Sequence, residues 1–271
     1  MSSADHDAVV RRSFERQVHL FSGPDAPFAR RAAGPLTWIE PLDPGMIVLD
    51  VACGAGHAAE QVAPSVRQVV GIDLTTALLK LGADRVRANG IGNVLLLEGN
   101  AERLPFLDES FDLVFCRSSL HHFAHPHRAV SEMLRVCCHD GRVVLLDIVP
   151  PDPAVRDRFD HLHRLLDPSH VRSFLESELA DLLPGGLDGL TYADTFTFRL
   201  PVDVAITDQS DSPEVLRLLR DEIQGAAPRT GFEPTEEDGK MMVDFTTCVV
   251  HSGSGQPNGI ARHGVRFRAG S

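Results

Sequence analysis

The chain has 271 residues, of which 43% are hydrophobic and 24% charged, as in an ordinary globular protein with one α/β domain and a cap. Its formal net charge of −12 argues against a nucleic-acid partner, because proteins that bind phosphate backbones do so through a basic face. The sequence shows no apolar stretch of roughly 20 residues, no secretory leader and no disulfide spacing among its five cysteines, so we expect a cytoplasmic protein without a membrane partner.

In chain order, the pattern first predicts helices over residues 1–42, which we interpret as a lid. Residues 43–150 then alternate between apolar runs and helices, the latter expected over residues 56–63, 75–90 and 125–137. The apolar runs are MIVLDV (46–51), RQVVGID (67–73), NVLLLEGN (93–100), FDLVFCRS (111–118) and GRVVLLDIV (141–149). Continuous apolar runs that alternate with helices predict a mostly parallel sheet with helices on both faces, which is a Rossmann-like α/β fold.

The pattern loosens over residues 151–271, which we interpret as the C-terminal part of the same domain with an acceptor-binding lid. Helices are expected over residues 153–166 and 173–183, the second opened by a capping box between Ser173 and Glu176. Residues 190–200 alternate like a strand, and one or two lid helices are expected within residues 203–240. FTTCVVHSG (245–253) and IARHGVRFRAG (260–270) are predicted to form a closing hairpin.

A glycine loop follows the first strand. The segment VLDVACGAGHAAE (48–60) fits the loose pattern G-x-G-x-x-G/A of dinucleotide sites. At the end of the second strand, Asp73 can bridge the ribose hydroxyls of either NAD or S-adenosylmethionine (SAM), so it does not discriminate. Asp50 does discriminate, because a carboxylate beside this loop repels a pyrophosphate but attracts the ammonium and sulfonium of SAM. These residues therefore favour SAM.

Four segments resemble, in the right order, the motifs of class I SAM-dependent methyltransferases: VLDVACGAG, VVGIDLT, GNAERLPFLDESFDLVFC and LRVCCHDGRVVLLDIV. The resemblance covers residues 45–150 and is strongest to the type found in ubiquinone and menaquinone biosynthesis. RSSLHHF and DPSHVR resemble a narrower bacterial subgroup whose substrates are mostly unassigned. The resemblance implies a mostly parallel seven-stranded sheet and SAM as cofactor, with S-adenosylhomocysteine as product.

The resemblance also implies which residues hold the cofactor. Gly54 and Gly56 would let the backbone approach the methionine part, while Asp73 would bind the ribose. Asn100 stands where the family usually has aspartate, and its amide can still accept from the adenine amino group. Cys53, at a position that is usually small or polar, is interpreted as packing. The full set of expected cofactor contacts is Asp50, Ala52, Gly54, Gly56, Asp73, Leu74, Asn100, Ala101 and Arg117.

The histidine-rich segment HHFAHPH (121–127) follows the fourth strand, on the side where such folds bind substrate. A metal site is not expected, because adjacent histidines do not easily point at one ion and no H-E-x-x-H or C-x-x-C spacing is present. A general base is better motivated, since histidine titrates near neutral pH. Alternation along an extended segment would place His121 with Phe123 and turn His122 into the pocket. We therefore predict His122, then His121, as catalytic; the alternative is that one of them only orients a loop.

Three further residues are predicted to bind the acceptor: Phe21, His170 and Arg172. Arg172 could hold an anionic acceptor group in bidentate fashion. The alternatives are plain core packing for Phe21 and, for the DPSHVR segment (167–172), a turn capped by Asp167 and Ser169.

The leading functional hypothesis is a SAM-dependent methyltransferase that acts on a small-molecule acceptor, either a secondary or a biosynthetic metabolite, as a monomer or homodimer. The alternatives are a SAM-binding protein that catalyses another reaction, such as a cyclisation, and a non-catalytic SAM-binding module. An NAD(P) oxidoreductase is disfavoured by Asp50. The acceptor atom is left open, because in-line methyl transfer needs mainly positioning.

Overall fold

One eight-stranded sheet organises the computed structural model, which describes residues 3–22, 37–206 and 212–253. The strands are β1 (Ile47–Val51), β2 (Gln68–Asp73), β3 (Val94–Glu98), β4 (Phe111–Arg117), β5 (Cys137–Val149), β6 (Leu190–Pro201), β7 (Thr235–Glu237) and β8 (Lys240–Gly253). Their order is β3-β2-β1-β4-β5-β8-β6, and β7 pairs with β8 off this path. The first five strands are parallel, whereas β8 runs antiparallel between β5 and β6.

The Rossmann-like prediction is confirmed, and the sheet has one strand more than the seven expected. The additional strand is the short β7, which a tight turn pairs with the start of β8 as a hairpin. Asp238 and Gly239 both have positive φ in this turn. The second strand of the predicted closing hairpin lies outside the described residues. Its first strand is part of β8, which pairs with β5, β6 and β7.

Eight α-helices occur among the described residues. They are α1 (Ser3–Arg16), α2 (His57–Val62), α3 (Thr76–Ala88), α4 (Pro126–Val136), α5 (Arg156–Leu166), α6 (Glu176–Ala180), α7 (Val202–Ala205) and α8 (Ser212–Ile223). The predicted start of α3 at Thr75 is confirmed, and Gly90 follows its end with a φ of +67°. Residues 23–36, part of the predicted N-terminal lid, lie outside the described residues.

The predicted capping box of α6 is wrong. The helix begins at Glu176 rather than at Ser173, and its first turn is capped by Glu178, whose Oε2 accepts from the backbone N–H of Leu175 at 2.9 Å. Ser173 is fully buried, and its backbone N–H donates to Asp160 instead. The spacing rule failed because Ser173 is held by α5 in an extended stretch before the helix starts.

The hydrophobic core lies on both faces of the sheet, because successive strand residues point to opposite sides. Leu49 belongs to the cluster on one face and Val48 to the cluster on the other. A third cluster joins α5 and α8 to β8 through residues such as Phe159, Leu219 and Phe245. Residues of the loosely patterned C-terminal half thus form a core of their own, which also includes Ile148 of β5. Among the described helices, none is long and apolar enough to span a bilayer.

Candidate active site

The carboxyl ends of β1 to β5 open into one cavity of about 880 Å³. In parallel α/β sheets, ligands bind at this edge, near the point where strand order reverses. That point lies beside β1, because the order runs from β1 to β3 on one side and through β4 to β5 on the other. Helix α1 and strands β6 and β8 contribute further walls, including His6, Asp7, Phe14, Phe198, Leu200, Phe245 and Val249.

The glycine loop between β1 and α2 has the backbone that its sequence predicts. Ala52, Gly54 and Gly56 have φ values of +56°, +56° and +70°. The turn is fastened to β2, because Asp73 Oδ2 accepts the backbone N–H of Gly54 at 2.8 Å. A side chain on Gly56 would also press on Leu96, with its Cβ 3.2 Å from both methyl carbons. Gly54 and Ala52 line the cavity, whereas Gly56 shapes the turn behind it.

Asp50 is the buried carboxylate of this end. It is the fourth residue of β1, its side chain is almost fully buried, and its Oδ2 has no hydrogen-bond partner among the described residues. Burial raises the pKa of Asp50 to about 8, against the opposing effect of the nearby Arg117. Arg117, which ends β4 and lines the same cavity, has its pKa lowered by burial. A buried carboxyl oxygen without a partner costs free energy, so the site is suited to a cationic ligand group.

Asp73 is the last residue of β2, and Asn100 lies just after β3. Both line the cavity, together with their neighbours Leu74 and Ala101. Asp73 accepts from the backbone N–H groups of Gly54 and Thr75, each at 2.8 Å. The side-chain oxygen of Asn100 accepts the backbone N–H of Glu102 at 2.7 Å, and its Nδ2 donates to Asp7 Oδ2 at 2.9 Å. Asp7 was missed in the sequence, where nothing marks α1 as reaching this loop.

His122 and His121 are both buried, and both line the cavity. The predicted alternation of inward and outward side chains is wrong, because residues Leu120–His122 form a 3-10 turn rather than an extended segment. Ser118, with a φ of +51°, ends the strand geometry just before it. His122 Nδ1 lies 3.0 Å from Ser169 Oγ, which itself donates to Asp167 Oδ1 at 2.6 Å. Because the serine proton is used there, Nδ1 of His122 is the donor and Nε2 is left as the proton acceptor.

His121 forms a buried pair with Asp147 of β5. Its Nδ1 lies 2.5 Å from Asp147 Oδ1, and its backbone N–H donates to the other carboxyl oxygen at 3.0 Å. Burial raises the pKa of Asp147 to about 6, although backbone donors and neighbouring histidines act against this shift. The pair fixes the orientation of the 3-10 turn and hence of His122.

His121 also belongs to a buried cluster with His163 and His170, whose potential metal-ligating atoms lie within 4.8 Å of one another. The rings of His163 and His170 are stacked, with centroids 4.1 Å apart and planes 19° apart. An imidazole nitrogen directs its lone pair within the ring plane, so two nearly parallel rings cannot aim both lone pairs at one ion without a rotation. We therefore interpret the cluster as packing, with His121 and His163 in the cavity wall and His170 behind it, and assign it no metal.

The predicted acceptor-binding residues are not brought together. Phe21 lines the cavity beside the glycine loop, 6.4 Å from Phe14 between ring centroids. His170 lies below the cavity wall, where its Nε2 contacts Asp160 Oδ1 at 2.8 Å. Arg172 lies outside the cavity, because it pairs with Glu178 at 2.9 Å and covers the ring of Phe174. Neither His170 nor Arg172 is therefore available to an acceptor in this arrangement.

Comparisons with known proteins agree with this geometry. A sequence-family profile described as a methyltransferase domain matches residues 49–145. The chain is 40% identical over 156 residues to YcgJ, an uncharacterized methyltransferase of Bacillus subtilis. This alignment covers 57% of this chain and 61% of YcgJ. It is 32% identical over 149 residues to the uncharacterized protein YafE of Escherichia coli, covering 55% of this chain and 71% of YafE. The crystal structure of YcgJ matches with a TM-score of 0.68 at 28% identity, over 83% of this chain and 95% of that chain.

A further relative is an enzyme with a named activity. The chain is 34% identical over 143 residues to a demethylmenaquinone methyltransferase of Porphyromonas gingivalis, covering 51% of this chain and 57% of that protein. The sequence match thus spans about three fifths of the length of YcgJ and of the Porphyromonas enzyme. The family profile ends within β5, so it covers the cofactor end of the cavity and not the walls from β6 and β8.

The parallel sheet, the glycine loop and the two carboxylates at strand ends define a nucleotide-cofactor enzyme fold, and the comparisons give its class. The chain belongs to the class I SAM-dependent methyltransferases, as the sequence motifs predicted. SAM is the cofactor of this class. The residues present fit it, because the unpartnered, buried carboxyl oxygen of Asp50 suits the ammonium of a methionine group and would repel a pyrophosphate.

We expect cofactor binding to release a proton from Asp50. With a pKa of about 8, this carboxyl is mostly protonated at pH 7, and a bound ammonium favours its ionised form. The affinity for S-adenosylhomocysteine should therefore rise with pH, by nearly tenfold from pH 6 to pH 7, and level off above the pKa of the free protein. Calorimetry at pH 7 in two buffers of different ionisation enthalpy should report about one proton released.

Asp50→Asn is the control for this prediction. The amide cannot ionise, so the variant should bind more weakly, with no pH dependence from 6 to 7 and equal enthalpies in both buffers. Equal enthalpies for the unmodified protein would mean that Asp50 is already ionised before the cofactor binds or stays protonated afterwards.

Proposed function

We propose that this protein transfers the methyl group of SAM to a small-molecule acceptor, a biosynthetic metabolite, and releases S-adenosylhomocysteine. The observation that carries the proposal is the continuity of one cavity, which joins Asp50 and Asp73 at its cofactor end to His122 at its far end. Bound SAM supplies a methyl group on a sulfonium, which is electrophilic without further activation. The protein's own residues then have to align the acceptor, exclude water and take up a proton.

His122 is our candidate for the proton acceptor. Ser169 Oγ accepts the Nδ1–H of His122 and donates its own proton to Asp167. The histidine is therefore held in one tautomer, with Nε2 as its basic atom. Burial lowers the pKa of His122, against the opposing effect of Asp167. The imidazole is therefore neutral at pH 7 and can accept a proton from a phenol, an enol or an amine.

The far end of the cavity favours an acceptor with an apolar body. Its walls include Leu146 and Ile148 of β5, together with Phe198 and Phe245, whose rings are stacked with centroids 5.5 Å apart. Helix α1 closes the same end, because Phe14 packs edge-on against His122 at 5.1 Å between ring centroids. An apolar, ring-containing molecule with one ionisable group would fill this space while its reactive atom faces His122.

The experiment is a labelled-cofactor screen. The purified protein is incubated with SAM that carries a deuterated methyl group and with fractions of a metabolite extract, followed by a panel of apolar phenols, enols and amines. Mass spectrometry should detect S-adenosylhomocysteine and one small molecule that has gained the label, both strongly reduced with Asp73→Ala at a SAM concentration that does not saturate this variant.

Two outcomes would favour the alternatives. Conversion of a small molecule without S-adenosylhomocysteine would indicate a non-methylating reaction in the same cavity, such as a cyclisation. SAM binding with no conversion of any fraction or panel compound would favour a SAM-binding module.

A further inference from the structure

Helix α1 brings an additional carboxylate to the cofactor end of the cavity. This carboxylate comes neither from the glycine loop nor from the strand ends. Asp7 is half-buried, lines the cavity and accepts from Asn100 Nδ2 at 2.9 Å. Arg11 fastens the same helix to the site, because its Nε donates to the backbone oxygen of Leu74 at 3.1 Å. His6 adds a contact between its Nε2 and the backbone oxygen of His122 at 2.6 Å.

The position of the adenine follows from the order of the strands. The carboxylate of Asp50 on β1 suits the methionine ammonium, and Asp73 at the end of β2 suits the ribose. Since β3 is the next strand beyond β2, the base must extend toward the residues that follow β3. Those residues are Gly99, Asn100, Ala101 and Glu102, all of which line the cavity.

The 6-amino group of adenine donates hydrogen bonds and needs an acceptor at this place. Asn100 is fixed in orientation, because its oxygen accepts from Glu102 N–H and its nitrogen donates to Asp7. One oxygen of the Asp7 carboxylate accepts from Asn100, and the other has no hydrogen-bond partner among the described residues. A charged acceptor held by an adjacent amide is the strongest partner that this end offers to an amino group.

We propose that Asp7 is the residue that recognises the 6-amino group of the adenine, with Asn100 as the residue that positions it. Recognition of the base is then supplied by α1 and not by the sheet edge alone. Cofactor binding and docking of α1 consequently stabilise each other. The proposal rests on the SAM cofactor that the proposed function uses, and it is independent of the acceptor.

The proposal is tested by a thermodynamic double-mutant cycle, in which one change is made in the protein (Asp7→Ala) and the other in the ligand (removal of the 6-amino group). Calorimetry measures the dissociation constants of S-adenosylhomocysteine and of its 6-deamino analogue, in which the purine carries hydrogen at C6. The unmodified protein should bind the analogue about tenfold more weakly, since a hydrogen bond to a charged acceptor is lost. Asp7→Ala should bind S-adenosylhomocysteine about tenfold more weakly and should bind the two ligands within about twofold of each other.

Arg11→Ala is the matched control on the same helix. It loosens the docking of α1 without touching the base, so it should weaken both ligands by the same factor and keep the tenfold preference for the amino group. If Asp7→Ala also weakens both ligands equally, Asp7 only docks the helix and the proposal is overturned. Failure of the unmodified protein to bind S-adenosylhomocysteine would instead remove the cofactor, and with it the proposed function.

Discussion

Replacing Asp73 with alanine should weaken SAM binding by about 2–4 kcal/mol, which is roughly 30- to 1000-fold in the dissociation constant. The carboxylate is proposed to accept both ribose hydroxyls, and hydrogen bonds to a charged acceptor contribute about 1.5–3 kcal/mol each. It also accepts the backbone N–H groups of Gly54 and Thr75, so its removal releases the glycine loop as well. Calorimetric titration with SAM and with S-adenosylhomocysteine measures the effect.

Glu98 provides a matched control for this variant. It ends β3 directly beside Asp73 in the sheet register, yet it is exposed, lies outside the cavity and bonds Thr76 Oγ1 at 2.7 Å. Glu98→Ala removes an equal charge from the next strand and should leave SAM affinity within about twofold. A folded Asp73→Ala protein that binds SAM as well as Glu98→Ala does would place the ribose elsewhere.

The cofactor end of the cavity could be predicted from the sequence because it is local in the chain. Asp50, Asp73 and Asn100 each end or follow an apolar run, and parallel strands bring their carboxyl ends to one edge. The spacing of residues within each loop then fixes the glycine turn and the carboxylate beside it. No long-range contact has to be guessed for these positions.

The acceptor end could not be predicted in the same way, because its contacts join distant parts of the chain. Ser169 meets His122 across 47 residues, His6 meets the same residue across 116, and Gln17 reaches Asp167 across 150. No periodicity reports such pairings. Both His121 and His122 are buried by a 3-10 turn, which follows a positive φ at Ser118. A serine in the sequence does not predict a positive φ.

Arg172 is a residue whose predicted role was wrong because tertiary contacts decide the direction of its side chain. Its place in the DPSHVR segment suggested a ligand for an anionic acceptor, but the segment turns at Asp167, whose carboxylate accepts from Ser169 and from Ser13 of α1. That turn directs Arg172 toward Glu178, outside the cavity. The sequence identified an unusual segment, whereas tertiary contacts decided which of its side chains faces the cavity.

Replacing His122 with alanine should lower the rate of methyl transfer by roughly 10²–10⁴-fold while SAM affinity stays within about twofold, since a general base contributes to the reaction and not to cofactor binding. The rate is measured with the acceptor found in the labelled-cofactor screen. Because burial lowers the pKa of His122, the neutral base persists below the usual histidine range, so the parent rate should fall only at a pH below that range.

Ser169→Ala and His125→Ala separate a base from a merely packed histidine. Ser169 holds the tautomer of His122 through Nδ1, so its removal should lower the turnover number several-fold with little change in the acceptor's KM and should move the acidic limb of the pH profile. His125 lies three residues beyond His122 in the same loop but is exposed and outside the cavity, so its variant should keep the parent rate and profile. A His122→Ala protein that turns over at the parent rate would show that this histidine packs against α1 and that alignment of the acceptor carries the catalysis.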